Sequence, residues 1–324
     1  MEKLYTVLIF GAGQIGSRHM QGLARCSHPL RIYVIDINPD SLQVTRQWWS
    51  DVLCRDGSSK IVSYHSRLDD CPKKIDLVIH ATTAKKRVDL ITSIKNHAFV
   101  NYWILEKVLV QSSKELNQLL EIFDENSRVW VNLPRRDLRW HALIRDNISH
   151  DSPLHLKVFG KSWGLACNSV HFLDMLSWFS GESLMQISTD KLSKDWIEAK
   201  RHGNWEIMGE LIAQFSGGST ATLSVEWGES TDLCYEFELQ DSDFTWRIDE
   251  ENGVAIRSDG LSIPGRLPYQ SEVTPLLVDR ILATGQCELP TLAVSAEIHR
   301  VFLDAMLSHF RKTVDSAATC VPIT

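Results

Sequence analysis

The sequence predicts an α/β domain followed by an α+β domain. Through the first 133 residues, short apolar runs alternate with helix-like segments, a pattern typical of a parallel sheet wrapped by helices. From Glu206 to Ser258, strand-like segments separated by turn residues indicate antiparallel strands, and two long helical segments follow. The chain of 324 residues also exceeds the size at which a single core stops growing. We therefore expect two domains, residues 1–133 and residues 134–324.

The spacing of apolar residues predicts the individual elements. In the first domain, strands are expected at Thr6–Phe10, Ile32–Asp36, Leu77–Ala81, Ala98–Leu105 and Val129–Asn132, and helices at Ile15–Ala24, Asp40–Trp49, Arg87–Lys95 and Ser112–Glu125. In the second domain, turn pairs such as Asn252-Gly253 separate the strands. The two long helices are expected at about Glu272–Ala283 and Val294–Arg311, and the last of them is free to pack on either domain.

Composition argues against several classes of protein. No apolar run approaches the roughly 20 residues needed to cross a bilayer, so we expect a soluble protein with no membrane partner. The net charge of −7 is spread along the chain without a basic stripe, so nucleic acid is not an expected partner. The short apolar start lacks a cleavage site and is interpreted as a buried strand rather than a secretory leader.

Cysteine usage indicates a reducing compartment. The seven cysteines stand far apart and form no CxxC pair, and no histidine pair has the spacing of zinc ligands. We expect reduced thiols in a cytoplasmic protein and no metal site.

A glycine-rich motif follows the first predicted strand. Gly11-Ala12-Gly13-Gln14-Ile15-Gly16 reads GxGxxG and stands between a predicted strand and a predicted helix, the context of a dinucleotide-binding Rossmann domain. In that interpretation Gly11 allows the tight turn, Gly13 lets the pyrophosphate approach and Gly16 lets the helix pack closely. The next strand ends in Asp36, 20 residues after the last glycine, where an acid meets the ribose hydroxyls and repels a 2′-phosphate. The motif favours NAD over NADP; the alternative is a structural turn with a solvated aspartate.

Two further segments carry groups suited to proton chemistry. Glu106 and Lys107 follow a predicted strand, at the edge where open α/β sheets bind ligands, so the lysine can stabilise a substrate oxygen. The alternative is a surface Glu-Lys pair. Further along, Asn168 or Ser169 is expected to cap a helix that ends before Gly181 and carries His171. The alternative is an interior histidine held by hydrogen bonds.

Four motifs in order carry a resemblance to a known family. GAGQIGSRH near the amino end, ATT and EKV after two later strands, and NSVHFLD beyond position 165 together resemble the glucose–fructose oxidoreductase / inositol dehydrogenase family, also written Gfo/Idh/MocA. The resemblance covers nearly the whole chain. It implies a Rossmann domain, a second domain with an open, mostly antiparallel sheet used in oligomerisation, and oxidation or reduction of a sugar or cyclitol carbon by a nicotinamide cofactor.

The resemblance also assigns roles to residues of this chain. Lys107 matches the lysine of the family's Glu-Lys-Pro motif, and His171 matches the histidine that exchanges the hydroxyl proton, with Asp174 following it. Ala81, Thr82 and Thr83 match the loop that passes the cofactor, and Gln14, Ile15 and Glu106 are counted with the cofactor contacts. Two positions depart from the family pattern: Val108 replaces the proline, and Cys167 replaces an aspartate four residues before the histidine. A thiol cannot orient an imidazole as a carboxylate does, so either the neighbouring Asn168 binds the substrate or the proton transfer uses a different partner.

The remaining expectations concern the substrate and assembly. Arg135 and Arg136 suit a carboxylate or phosphate because guanidinium forms bidentate pairs with both; the alternative is a solvated basic linker. Trp163, just before the histidine helix, and Asp174 are also expected to contact the substrate. Together, the four motifs and the resemblance predict an NAD-dependent oxidoreductase acting on a sugar or sugar derivative. The two arginines add acidic or nucleotide-linked sugars, and the surface-polysaccharide type is what the resemblance implies. The alternatives are a catalytically weakened, cofactor-binding regulator of the same fold and a reductase of a non-sugar such as a linear tetrapyrrole. A homodimer or homotetramer is expected.

Overall fold

The computed structural model describes residues 3–56, 60–226 and 234–324, and its contacts divide the chain into two units. The first unit contains Met1–Glu106, Gln118–Asn132 and Pro268–Leu292. The second contains Lys107–Asn117, Leu133–Leu267 and Ala293–Thr324. The units interleave along the chain, so Lys107 belongs to the second unit although the sequence analysis places it in the first domain.

The first unit is built on a parallel six-stranded sheet of order β3-β2-β1-β4-β5-β6. Its central strands β1 and β4 are largely apolar and, apart from Lys74 at the start of β4, have no exposed position, as in sheets covered on both faces. The predicted parallel sheet is confirmed. The sequence analysis missed β3 because none of its residues is buried and it has no continuous apolar run. The strands are β1 Tyr5–Phe10, β2 Leu30–Ile35, β3 Ile61–His65, β4 Lys74–His80, β5 Phe99–Leu105 and β6 Arg128–Val131.

Helices pack around this sheet, beginning with α1 Gln14–Leu23, α2 Pro39–Asp56 and α3 Arg87–His97. The boundary between the two units at Gln118 falls inside helix α4, Ser113–Ile122. A further helix, α7 at Gln270–Thr284, packs on α1 within the first unit. The two helices approach so closely that a Cβ added to Gly22 would lie 2.6 Å from the Cβ of Thr274. The helix that joins the first unit is therefore α7 rather than the last helix.

The second unit contains an open eight-stranded sheet of order β14-β13-β12-β11-β7-β10-β9-β8. All neighbours are antiparallel except β7 and β10, which confirms the predicted mostly antiparallel sheet. Helix α6 packs on β9 and β10. The strands are β7 His155–Lys161, β8 Leu184–Glu198, β9 Trp205–Phe215, β10 Thr220–Glu226, β11 Cys234–Gln240, β12 Thr245–Asp249, β13 Val254–Arg257 and β14 Ser262–Pro264, and the helices are α5 Arg139–Arg145, α6 Leu165–Ser180 and α8 Leu292–Thr313.

Among the described residues, no helix combines the length and the apolar character that a bilayer crossing requires.

Candidate active site

The glycine-rich loop joins β1 to α1 and has little room at two of its three glycines. Gly11 has a φ of +105°, and a Cβ there would lie 2.9 Å from the backbone of Ala81 and of Thr82. A Cβ on Gly16 would lie 1.9 Å from the carbonyl oxygen of Gly11. Among the described residues, in contrast, no atom lies within 4 Å of a Cβ added to Gly13, and no side chain caps the helix that begins at Gln14. The loop therefore packs on the Ala81–Thr82 segment and leaves open space at Gly13, beside the first amides of α1.

Asp36 lies directly after β2 and turns its carboxylate toward this loop. One carboxylate oxygen accepts a hydrogen bond from the backbone N–H of Ala12 at 2.7 Å, and the other accepts from that of Asn38 at 2.8 Å. Each carboxylate oxygen has two lone pairs, so both can accept a further bond. The aspartate and the glycine loop, 24 residues apart along the chain, are thus parts of one local structure.

Glu106 follows β5 and lies in a buried hydrogen-bond network. Its Oε1 accepts from Nε2 of His19 at 2.8 Å and from Nδ2 of Asn132 at 2.6 Å. The Nδ1 atom of His19 bonds in turn to the hydroxyl of Thr274 at 2.9 Å. Glu106 is 6% exposed. Its carboxylate fixes the end of β5, and the expected cofactor contact of Glu106 stays a prediction.

Lys107 is held at the start of α6. Its Nζ donates to the carbonyl oxygen of Cys167 at 2.8 Å and to Oδ1 of Asn168 at 3.1 Å. The amide of Asn168 donates to the carbonyl of Trp163 at 2.6 Å and is itself fixed by that bond. An ammonium group has three hydrogens, so one remains for a substrate oxygen. The peptide bond from Lys107 to Val108 is cis.

Helix α6 begins at Leu165, earlier than predicted. Asn168 and Ser169 therefore lie within the helix and do not cap it. The preceding residue, Gly164, has no side chain to cap with, and the carboxylate of Glu206 on β9 takes this role. Glu206 accepts from the backbone N–H of Ala166 at 2.7 Å and of Cys167 at 3.1 Å. Burial raises the pKa of Glu206, and these bonds oppose the shift.

Cys167 stays a neutral thiol. Burial and the neighbouring carboxylate of Glu206 raise the pKa of Cys167 to about 12. A protonated thiol cannot supply the negative charge of the aspartate that the family resemblance implies at this position. The imidazole of His171 therefore has no carboxylate partner at position 167.

His171 lies three residues after Asn168, on the same side of α6. It is half-buried, and its Nδ1 atom is buried without a hydrogen-bond partner among the described residues. Burial, together with the nearby charges of Lys107 and Arg135, lowers the pKa of His171 well below its ordinary value of 6.5. The imidazole is neutral at physiological pH and can accept a proton.

Arg135 is paired inside the second unit. Its guanidinium donates to both carboxylate oxygens of Glu250, at 2.8 and 2.6 Å, and only 5% of the residue is exposed. Glu250 also accepts from His141 at 2.8 Å and from the hydroxyl of Tyr235 at 2.6 Å. Burial alone would raise the pKa of Glu250, but the charge of Arg135 and the bonds from Arg135 and His141 lower it. This arrangement argues against Arg135 as a direct ligand of an acidic substrate.

Three other expected substrate residues are also engaged within the second unit. Arg136 donates to the two carboxylate oxygens of Asp174, each at 2.8 Å, and Asp174 is 1% exposed. Trp163 is 1% exposed, donates from its indole to the carbonyl of Ser224 at 2.8 Å and packs edge-on against Phe172. Among the residues predicted to bind substrate, Asn168 is the one in direct contact with Lys107.

Sequence analysis did not find the carboxylates of Glu206 and Glu250. Glu250 lies 115 residues from Arg135 along the chain, and Glu206 lies 40 residues from Ala166. Glu250 stands in the acidic run Asp249-Glu250-Glu251 and Glu206 in a β-rich segment, and in both contexts a charged residue usually faces water. No local signal distinguishes them from surface residues.

Comparison with known proteins identifies the fold. No protein-family model matches the sequence, and no curated protein matches it either. Solved structures do match along nearly their whole length. Scyllo-inositol dehydrogenase from Lactobacillus casei with bound NAD(H) and scyllo-inositol has a TM-score of 0.67 and 17% identity, covering 96% of this chain and 98% of that one. Myo-inositol 2-dehydrogenase from Lactobacillus plantarum has a TM-score of 0.70 and 16% identity, covering 99% of this chain and 100% of that one.

A third match acts on a different kind of sugar. UDP-N-acetylglucosamine 3-dehydrogenase from Acidithiobacillus ferrooxidans has a TM-score of 0.69 and 12% identity, with 97% of this chain and 99% of that one covered. The chain therefore has the fold of these dehydrogenases, a Rossmann-type parallel sheet and an open antiparallel sheet, as the resemblance implied. At these identities the likeness shows the fold alone.

Proposed function

We propose that this protein is an NAD-dependent oxidoreductase that transfers hydride to or from a secondary alcohol or ketone carbon of a neutral sugar or cyclitol. The main observation behind the proposal is that Lys107 is hydrogen-bonded to residues at the start of α6. The ammonium is bonded to Asn168, and the neutral imidazole of His171 follows three residues later on the same side of the helix. A cation and a proton acceptor near one another are the groups that oxidation of a hydroxyl requires.

The first unit fits a dinucleotide. The open space at Gly13 and the uncapped amides at the start of α1 suit a pyrophosphate, which binds at helix N-termini. Asp36 would accept from the ribose hydroxyls and would repel a 2′-phosphate, which supports NAD over NADP. Gln14, Ile15 and the Ala81–Thr83 loop complete the proposed contacts. When bound, the nicotinamide supplies the hydride acceptor or donor.

Lys107 and His171 have separate roles in the proposed reaction. The remaining N–H of Lys107 donates to the reacting oxygen and stabilises the negative charge that develops there. His171 accepts the hydroxyl proton during oxidation and returns it during reduction. The lowered pKa of His171 suits the first role, because a neutral imidazole is already present at physiological pH.

The proposed substrate is neutral because the two arginines that suggested an acidic one are paired. Arg135 is neutralised by Glu250 and Arg136 by Asp174, both in bidentate geometry. In each pair the carboxylate occupies one edge of the guanidinium and balances its charge, so the attraction for a second acid is reduced. The matching inositol dehydrogenases, one of them solved with bound scyllo-inositol, support a polyol.

The direct test is turnover over a panel of substrates with NAD, followed by NADH absorbance. The panel contains inositols and neutral aldoses, with uronic acids and nucleotide-linked sugars as the charged comparison. We expect turnover with at least one neutral member and none with its uronic-acid counterpart. Tight NAD binding without turnover on any member would contradict the proposal and favour the cofactor-binding regulator.

A pair of glycine substitutions tests the cofactor site. We expect Gly13→Ala to fold with an unchanged melting temperature but to bind NADH at least about tenfold more weakly, because the methyl group enters the proposed pyrophosphate position. Gly16→Ala should instead lower the melting temperature, since its Cβ would meet the carbonyl of Gly11. Thermal melts and NADH fluorescence titrations measure both effects. Unchanged NADH affinity in Gly13→Ala would show that the pyrophosphate does not bind at Gly13.

The pH profile of oxidation tests His171. Oxidation needs the neutral imidazole, so the rate should fall as the pH drops through the pKa of His171. Because that pKa is lowered, we expect kcat/KM to be level down to pH 6.5 and to fall only below it. The matched comparison is His171→Gln, in which this acid limb should disappear together with most of the activity. An acid limb centred at or above pH 6.5 would contradict the assignment.

A homodimer or homotetramer and a cytoplasmic location complete the proposal. The open eight-stranded sheet supports assembly, since such a sheet can pair its exposed face with another copy. Light scattering of the purified protein measures the assembly state.

A further inference from the structure

Arg87 is a buried arginine that neither the glycine motif nor the candidate catalytic residues account for. It opens α3 in the first unit, after the loop that follows β4, and only 1% of the residue is exposed. A guanidinium is buried at a large cost unless its partners balance its charge and accept from its N–H groups. Its partners therefore indicate what the residue does.

The guanidinium of Arg87 binds backbone carbonyls on two different segments. Its Nη1 donates to the carbonyl oxygen of Glu106, and its Nη2 donates to that of Thr82 at 2.5 Å. Thr82 follows β4 and Glu106 follows β5, beyond the last paired residues of the two strands, His80 and Leu105. Arg87 thus joins the two segments where strand pairing has ended.

Hydrogen bonds hold three groups of Glu106: its backbone N–H, its backbone carbonyl and its carboxylate. Its N–H donates to the carbonyl of His80 at 3.2 Å, its carbonyl accepts from Arg87, and its carboxylate accepts from His19 and Asn132. The next residue in the chain is Lys107. The carbonyl that Arg87 binds belongs to the peptide that leads into the lysine, so the guanidinium fixes the backbone from which that side chain starts.

The chemistry of this position favours arginine. The two terminal nitrogens of a planar guanidinium hold two carbonyls at a fixed spacing, whereas lysine has a single nitrogen on a flexible stem. The neighbouring imidazole is compatible with this cation, because burial and the charge of Arg87 lower the pKa of His80 well below 6.5 and keep it neutral. Arg87 therefore keeps its positive charge beside a neutral imidazole.

We propose that Arg87 is a positioning residue for the proposed reaction, which fixes the peptide between Glu106 and Lys107 and the carbonyl of Thr82 in the cofactor loop as one rigid piece. The inference rests on the proposed function, since it assigns Lys107 a role in the reaction. It predicts that loss of the fork loosens both segments together and lowers turnover through Lys107.

The first test needs no substrate. Hydrogen–deuterium exchange of the full-length protein is compared for wild type, Arg87→Lys and the exposed control Arg25→Lys. We expect peptides covering residues 81–84 and 105–108 to exchange about tenfold faster in Arg87→Lys, as for loss of a charge-assisted hydrogen bond. Peptides from α8 should be unchanged, and the control should match wild type. Unchanged exchange in either segment overturns the proposal, whatever the protein turns over.

A double-mutant cycle separates positioning from a purely structural role. With a substrate from the panel, kcat is measured for Arg87→Lys, Lys107→Ala and the double variant. We expect Arg87→Lys alone to lower kcat at least about thirtyfold with little change in KM, and to add almost nothing once Lys107 is absent, as for residues that act as one unit. Multiplicative losses would overturn the proposal.

Two arrangements keep this experiment decisive. Arg87→Ala, which removes both donors, is measured beside the lysine variant, and the lysine variant decides alone if the alanine variant does not fold. If wild type turns over no substrate, the proposed function fails, while the exchange experiment still decides whether Arg87 holds the two segments.

Discussion

Replacing Lys107 by alanine is expected to lower kcat by about two to four orders of magnitude, the usual effect of removing a group that stabilises developing charge. The ammonium is bonded to Cys167 and Asn168 in the second unit, whereas the proposed NAD contacts lie in the first. NADH affinity should therefore change by less than about threefold. Steady-state kinetics and an NADH fluorescence titration measure the two quantities.

Two further variants make the Lys107 result specific. Lys107→Met keeps the length of the side chain without its charge and should be nearly as inactive as Lys107→Ala. Lys114→Ala removes an exposed lysine nearby in the sequence and should leave the rate unchanged. An active Lys107→Met variant would mean that the charge is not needed and that the assignment is wrong.

The largest effect on stability is expected from Glu250→Gln. This carboxylate accepts hydrogen bonds from Arg135, His141 and Tyr235, and only 7% of the residue is exposed. Removing its charge leaves a buried guanidinium without an ionic partner, which lowers the free energy of unfolding by about 3–5 kcal/mol. Urea denaturation at neutral pH measures the change.

A matched exposed pair provides the control. Arg67 and Asp69 are 2.7 Å apart, nearly the distance in the Arg135–Glu250 pair, but their side chains are 73% and 72% exposed. Asp69→Asn should leave the free energy of unfolding nearly unchanged, since an exposed ion pair contributes little to stability. The double variant Arg135→Met/Glu250→Met should recover much of the loss, because it leaves no unpaired charge. Equal losses in the free energy of unfolding at the two pairs would show that burial does not determine how much an ion pair contributes to stability.

Local patterns predicted most of the fold. The buried runs of β1 and β4 and the glycines after β1 are contiguous in sequence, so the parallel sheet and its cofactor loop could be inferred directly. The partly exposed β3 lacked such a run and was missed. The sequence also predicted the helix near Glu272 but not its partner, because the close approach of Gly22 to Thr274 is a contact between distant residues.

The candidate site was less predictable because its charges are balanced by distant residues. Arg135 and Arg136 stand together in the sequence as an anion site would, and only the folded chain brings Glu250 and Asp174 against them. The same holds for Glu206, which approaches the start of α6 from β9. Sequence patterns identify groups that can do chemistry, whereas tertiary pairing determines which of them remain available.

A crystal structure of the protein with NAD and the best neutral substrate of the panel shows whether Lys107 and His171 act on the same oxygen. We expect Nζ of Lys107 and an imidazole nitrogen of His171 both to lie within about 2.6–3.2 Å of one substrate oxygen, the range for productive proton transfer. A complex in which the two groups contact different oxygens, or in which His171 contacts none, would contradict this expectation.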